Sequence, residues 1–254
     1  MGQSLVRAAN AAGLAICGGS ERAGNETIGK DIGVLAGLPP LNIAVSDSPA
    51  AAAKDAQVWI DFTAPEATLA ALENLNSTPV RAIVIGTTGF SEAQLSQLNT
   101  HAARYAIVRA GNFSLGVNLL CALAEQAAAR LDPAWDIEIL ETHHRHKRDA
   151  PSGTALMLGD AAAAGRGVAL KDVRLAPYDG VGEPRPKGAI GFSVRRSGGV
   201  IGEHEISFAS SSEIVSLSHQ ALDRSVFADG ALAAARWAVD KPPGQYSMRD
   251  VLGL

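Results

Sequence analysis

From Glu141 to Lys147 the chain reads Glu-Thr-His-His-Arg-His-Lys, and from Asp149 to Thr154 it reads Asp-Ala-Pro-Ser-Gly-Thr. Three of the six histidines, His143, His144 and His146, stand there beside Arg145 and Lys147. Imidazoles exchange protons near neutral pH, and a loop this rich in cations attracts an anion. A zinc site is the competing use of clustered histidines. No spaced carboxylate or cysteine ligands accompany them and the adjacent cations oppose a metal ion, so no metal is assigned. His146 reads as a loop-orienting residue and His204 as structural. His101 and His219 read as surface or packing residues, and Trp59 and Trp237 as core.

An alternating strand over 136–141 leads into this loop, and the residues Ser152-Gly153-Thr154 open a helix over 154–164. Free N–H groups and the dipole at a helix start suit a carboxylate. Before the loop lies an alanine-rich helix over 115–131. After it come alternating strands over 190–195, 202–208 and 214–218, with Gly198-Gly199 as a turn between two of them. These strands predict a mixed or mostly antiparallel sheet with one face free for a partner. The stretch 178–188, rich in Gly, Pro and charge, reads as an exposed loop.

The first half is different. Short apolar strands at 14–19, 58–62, 82–86 and 106–108 alternate with helices over 3–12, 65–75 and 91–103, the last with Ser91 as N-cap and Gln94 closing a capping box. Continuous apolar strands between helices predict a parallel sheet covered on both faces. A helix over 225–239 returns to this half, and 242–254 reads as a loop ending in a short turn. The expected division is 1–113 with 224–254 as a dinucleotide-binding domain, and 114–223 as a substrate and oligomerisation domain.

Ligands of open parallel sheets bind at the C-terminal ends of the strands. Those ends here are Gly19-Ser20-Glu21-Arg22, Asp61-Phe62-Thr63, Gly86-Thr87-Thr88-Gly89 and Ala110-Gly111-Asn112-Phe113. A carboxylate after the second strand of a dinucleotide fold accepts from the adenosine ribose, and an arginine there holds a 2′-phosphate. Glu21 and Arg22 together therefore admit NADH or NADPH. Gly-Thr-Thr-Gly taken alone is as readily a plain turn, and Glu21-Arg22 a solvated pair; the four strand ends in order favour a cofactor. Such a fold opens with a strand and a Gly-rich phosphate loop. Here Met1-Gly2 stand at the start of the first helix, with Gly2 nineteen positions before Glu21. The expectation is a chain that lacks its first strand and most of that loop, through a misplaced start or shortened form.

With 254 residues, 47% hydrophobic and 19% charged, the chain can bury one large or two modest cores. A formal net charge of -4 argues against nucleic acid or an anionic membrane as partner. No apolar run reaches the roughly 20 residues of a membrane span, and no signal peptide is evident. Cys17 and Cys121 read as buried free thiols in a reducing cytoplasm.

The segment Glu141–Lys147 with Asp149–Thr154 resembles the signature of the 4-hydroxy-tetrahydrodipicolinate reductase (dihydrodipicolinate reductase) family of bacterial lysine and diaminopimelate synthesis. The likeness extends through Ile60-Asp61-Phe62-Thr63, Val84 to Phe90, Gly111 to Ser114, Gly188 to Phe192, Gly202-Glu203-His204, Phe227-Ala228 and Met248 to Leu252. It implies a Rossmann-type nucleotide domain, a second α+β domain with a mixed sheet, and a homotetramer. It makes His143 the catalytic acid/base and Lys147 its partner. His144, Ser152, Gly153 and Thr154 take substrate positions. Gly2, Glu21, Arg22, Phe62, Gly86, Thr87, Thr88, Ala110, Gly111, Asn112 and Phe113 take cofactor positions. Met1 and Gly2 match the last two residues of the family's phosphate loop; the arginine that precedes them there is absent.

The family substrate is a cyclic imine with two carboxylates. Its reduction adds hydride to the ring and a proton to a neighbouring carbon, with loss of water. In that chemistry His143 delivers the proton as a general acid, strengthened by the cations Arg145 and Lys147, and Lys147 donates near developing negative charge. A sibling reductase of another small dicarboxylic acid, or an inert or weakly active shortened form, are the alternatives.

Overall fold

The structure is a computed structural model and describes residues 1–254. It divides into two compact units, Met1–Ser114 with Ser225–Leu254, and Leu115–Arg224.

The first unit contains α1 (Gly2–Ala11), the single-turn helices α2 (Ile32–Leu35) and α3 (Pro49–Ala52), then β1 (Val58–Asp61), α4 (Pro65–Asn74), β2 (Ala82–Ile85), α5 (Glu92–Thr100) and β3 (Ala106–Arg109). The second unit contributes α6 (Leu115–Arg130), β4 (Asp136–His143), α7 (Gly153–Gly165), α8 (Leu170–Val173), β5 (Ile190–Arg196), β6 (Glu203–Ala209) and β7 (Ile214–Gln220). The chain then returns to the first unit with α9 (Ser225–Ala238), β8 (Gly244–Tyr246) and α10 (Met248–Leu252).

In the first unit β1, β2, β3 and β8 form an all-parallel sheet in that order. Every residue of β2 is buried, as a strand covered on both faces requires. Ile83, Ile85 and Ile107 face a core with Leu69 and Leu72 of α4 and Leu98 of α5. Ala82, Val84, Ala106 and Val108 face the other way, against Ala231, Ala234, Ala235 and Ala238 of α9. The alternation of adjacent apolar residues between two faces thus produces the three layers expected. The Ser91–Gln94 capping box that starts α5 is formed in full.

Three expectations change here. The segment 14–19 is extended but forms no ladder; only an isolated bridge, Ser20 with Ser46, marks its end. Apolar sequence makes a strand only when another strand lies beside it, and none runs along 14–19 or along the outer edge of β1. Cys17, carried on that unpaired segment, is accordingly exposed rather than buried, with Sγ 3.5 Å from the carbonyl of Asp55. The tail holds an unforeseen strand, β8, whose three residues Gly-Gln-Tyr carry no apolar run.

The second unit is a mixed sheet of order β5-β4-β6-β7. β4 runs parallel to β5 and antiparallel to β6, and β6 is antiparallel to β7. Ile137, Ile139, Ile190, Ile206 and Phe208 pack under α6 and α7 with Leu120, Ala124, Leu158 and Ala162. Gly198-Gly199 do form a turn, yet the strands it joins are not neighbours, because β4 lies between them. The link is a crossover, not a hairpin. Helix α7 begins at Gly153 with Ser152 as N-cap, one residue earlier than expected.

Candidate functional site

Along β4 the odd-numbered residues share one face. Ile137 and Ile139 fill the core; Glu141 and His143 continue the same row as the strand runs out towards the loop. Cross-strand register adds the rest. His204 on β6 lies opposite Glu141, and Arg196 on β5 lies opposite His143. The apolar stripe under α7 thus ends in a cluster of one carboxylate, two imidazoles and a guanidinium.

Glu141 is 1% exposed, and four N–H groups converge on it. His143 Nδ1 is 2.6 Å from Oε2. Arg196 donates from Nη1 to Oε2 at 2.7 Å and from Nη2 to Oε1 at 2.9 Å. The Ser152 amide donates to Oε1 at 2.9 Å. Burial alone raises this carboxyl's pKa, but the bonds from Arg196, His143 and Ser152 outweigh it and hold the pKa below the usual carboxylate value. The His143 pKa is lowered, first by burial, with Lys147 and Arg196 pushing the same way and Glu141 opposing. Arg196 thus supplies the lowering expected of Arg145, which is exposed. His204 is buried, its ring 5.1 Å from that of His143 and edge-on to it. Burial carries its pKa down to about 4, so it is neutral at physiological pH.

Arg196 also fastens the loop. It donates to the carbonyls of Lys147 at 3.3 Å and Asp149 at 2.6 Å. The Lys147 side chain is one-fifth exposed, and its Nζ sits 3.0 Å from the Asp149 carboxylate. His144 and His146 lie ring to ring at 6.3 Å. The Ser152 hydroxyl accepts from the Ala155 amide at 3.1 Å and lies 3.2 Å from His204 Nε2. Ser152 therefore stands beneath the site, both its amide and its hydroxyl engaged, and caps the helix turn begun by Gly153 and Thr154. Gly202 lies against the Nε2 edge of His143: a Cβ there would stand 3.2 Å from Nε2.

In the first unit the structure brings Phe62, Gly86, Thr87, Thr88, Ala110, Gly111, Asn112 and Phe113 to the C-terminal ends of three adjacent parallel strands. Gly86 has no room for a side chain, since a Cβ would meet the Phe62 ring at 2.0 Å. Phe62 in turn lies 5.5 Å from the Phe113 ring. The Thr87 hydroxyl is turned inward: it donates to Asp61 Oδ1 at 3.0 Å and accepts from the Thr63 amide at 2.9 Å. Thr88 and Gly111 are exposed, and space is open around Gly111. Small residues with accessible backbone at adjoining strand ends fit a nicotinamide nucleotide. Glu21 follows the unpaired segment, with its Oε2 taken by the Arg22 amide and the Asn25 side chain, both at 3.1 Å. Gly2 starts α1, whose N-terminus has no side-chain cap.

The sequence draws attention to His143, Lys147 and the helix start, but assigns no role to Glu141, Arg196 or Asp149. The pattern Glu141-x-His143 on a strand was a usable signal, since it places both side chains on one face. Arg196 is 55 residues from Glu141, and only strand register reveals it.

A parallel strand-end nucleotide unit joined in one chain to a mixed-sheet unit bearing a carboxylate-braced histidine defines a Rossmann-type, two-unit oxidoreductase. Residues 1–113 match the family model "Dihydrodipicolinate reductase, N-terminus" and residues 116–252 the model "Dihydrodipicolinate reductase, C-terminus". The chain belongs to the dihydrodipicolinate reductase family. It is 54% identical to the 4-hydroxy-tetrahydrodipicolinate reductase of Dinoroseobacter shibae, and 51% identical to that of Rhizobium rhizogenes. The matches cover 100% of this chain and 94% and 93% of those relatives. Among solved structures, dipicolinate-bound dihydrodipicolinate reductase from Paenisporosarcina sp. TG-14 matches at TM-score 0.60 and 28% identity, over 75% of this chain and 71% of that one. An amine dehydrogenase from Mycobacterium smegmatis shares the fold at TM-score 0.67 and 18% identity, over 98% of this chain and 92% of that one.

Proposed function

We propose that this chain reduces 4-hydroxy-tetrahydrodipicolinate to tetrahydrodipicolinate with NADH or NADPH, in lysine and diaminopimelate biosynthesis. The observation that carries the reading is His143, held at the edge of a cationic loop by an ionised carboxylate in a chain matched end to end by reductases of that name. The reduced nicotinamide supplies hydride to the ring; the chain supplies the proton, and water leaves.

His143 gives the proton from Nε2 to the neighbouring ring carbon. Lys147, released from Asp149, donates to the anionic substrate, and His144 with the Gly153–Thr154 start of α7 holds its carboxylates, aided by the helix dipole, while Ser152 caps that turn from beneath. Gly86, Thr87, Thr88 and Ala110 to Phe113, with Phe62, take the nicotinamide end of the cofactor; Gly2 at the uncapped start of α1 takes the phosphate side. Glu21 and Arg22 take the adenosine ribose, and the two together admit either cofactor. The protein works as a homotetramer in the cytoplasm, where the free thiols Cys17 and Cys121 stay reduced. No helix is long and apolar enough to cross a membrane.

The test is loss of reduced-nicotinamide absorbance, with substrate made in place by the preceding synthase. Synthase-dependent oxidation of NADH or NADPH is expected, and light scattering should return four times the chain mass of 26.2 kDa. Oxidation of neither cofactor sinks the reading.

A further inference from the structure

Glu141 and Arg196 are the most fully tied residues of the cluster, and the reaction outlined above assigns them nothing. The guanidinium has five N–H groups, and each one is spent. Two go to the Glu141 carboxylate, and one each to the carbonyls of Lys147, Asp149 and Arg195. An ionised carboxylate only accepts, so at 2.6 Å the hydrogen between Glu141 and His143 belongs to Nδ1.

We propose that Glu141, clamped by Arg196, is a positioning residue that commits His143 to exchange its proton through Nε2, and that the same guanidinium sets the loop carrying Lys147. The proposal rests on the functional reading only for the destination of the proton; which nitrogen carries it is a property of the chain alone. Without the carboxylate, neutral His143 is free to hold its hydrogen on either nitrogen, and the form with Nε2–H has its basic lone pair on Nδ1, so it becomes the acidic imidazolium only by protonation at the inner nitrogen, away from the proposed reacting edge. Gly202 supports the assignment, because it leaves unfilled the space beside Nε2, where a Cβ would stand 3.2 Å away. The groups that bear on His143 are Glu141 on its own strand, Arg196 on β5, Lys147 in the loop and His204 on β6. His204 is neutral, so beside burial, which is the largest influence, the charges acting on His143 are one carboxylate and two cations.

Nitrogen-15 imidazole spectra test this directly, with the His143 signals identified by their loss in His143→Gln. In the unmodified protein, above the His143 pKa, the neutral ring is expected with hydrogen on Nδ1. A ring carrying its hydrogen mainly on Nε2 overturns the proposal, and this measurement requires no variant to fold. In Glu141→Gln both tautomers should appear and the His143 pKa should fall, because the carboxylate is what raises it. In the reductase assay the same variant should lose about 10²-fold in kcat with KM little changed, and Glu141→Asp should recover part of it. Arg196→Lys, which keeps the charge but not the fork, should raise KM as well, because the Lys147 loop loses its brace. A Glu141→Gln enzyme with wild-type kcat and pH profile overturns the proposal. If the unmodified chain reduces no dicarboxylic imine, the functional reading falls, while the imidazole spectrum still decides the tautomer.

Discussion

His143 carries opposing demands in one ring. Burial disfavours its charged form, which makes the imidazolium a stronger acid but a scarcer one. A general acid works only while protonated, so kcat/KM should fall as pH rises through the His143 pKa, which lies below the ordinary imidazole value. His143→Gln removes the proposed proton donor but keeps an N–H able to reach Glu141. It should lower turnover by about 10²–10⁴ with an unchanged melt, and near-full turnover in that variant would remove His143 from the reaction. Lys147→Ala deletes a cation that pushes the pKa down, so the falling limb should move to higher pH while turnover drops throughout. A limb that stays in place would show that Lys147 does not act on His143. Gly202→Ala should cost activity without unfolding, as a methyl group 3.2 Å from Nε2 crowds the reacting edge. At this scale the sequence was informative about residues close together in the chain. The clustering of His143, His144 and His146 with cations ahead of a helix start drew attention to the loop, and the family resemblance gave Lys147 and Ser152 their expected roles. Arg196 was silent, because its role depends on β5 lying parallel to β4 in one register, and nothing local to Val194-Arg195-Arg196 announces that.

The elements that carry these residues are held by close backbone approach as much as by apolar area. Helix α9 crosses the turn after β3 so tightly that a Cβ on Gly230 would stand 1.7 Å from the Phe113 carbonyl oxygen. That oxygen is backbone and cannot swing aside. Gly230→Ala should therefore destabilise by about 1–3 kcal/mol or more, with weaker cofactor binding if the Ala110–Phe113 strand end is displaced. Differential scanning calorimetry would check the first and nicotinamide titration the second; an unchanged melt would mean α9 is not seated there. Element reading from sequence succeeded where the signal is local. Ser91 and Gln94 make a capping box whatever surrounds them, and the β2 run Ala-Ile-Val-Ile is buried on both faces because nothing in it tolerates water. It failed where pairing decides. Leu14 to Gly19 is as apolar as a strand, yet has no strand to pair with. β8 is hardly apolar, yet pairs because β3 offers it an edge. The Gly198-Gly199 turn shows the same limit: a turn signal is local, while the identity of the strands it joins is not.

For the molecule as a whole, the buried cluster around His143 is a liability in acid. The folded protein keeps His204 neutral down to about pH 4, whereas in the unfolded chain the same imidazole takes up its proton near pH 6.5. In that window the unfolded state binds more protons, so stability must fall as the pH is lowered. With each pKa unit worth ~1.4 kcal/mol, the difference for His204 amounts to roughly 3 kcal/mol by pH 4, a large part of the 5–15 kcal/mol typical of a domain. His143 and His219, also lowered by burial, act in the same direction through the upper part of the window. Glu141 adds to the loss further down. Its pKa is depressed in the fold, so the stability it contributes is complete above the carboxylate's unfolded value and disappears as pH falls through the folded one. Denaturant unfolding at pH 7 and pH 4.5 should show a marked loss for the unmodified protein. His204→Gln, whose amide can donate to or accept from the Ser152 hydroxyl but cannot titrate, should start less stable at pH 7 and lose less on acidification. Parallel losses in the two proteins would mean that His204 is protonated in the fold and that the cluster is wetter than its burial implies.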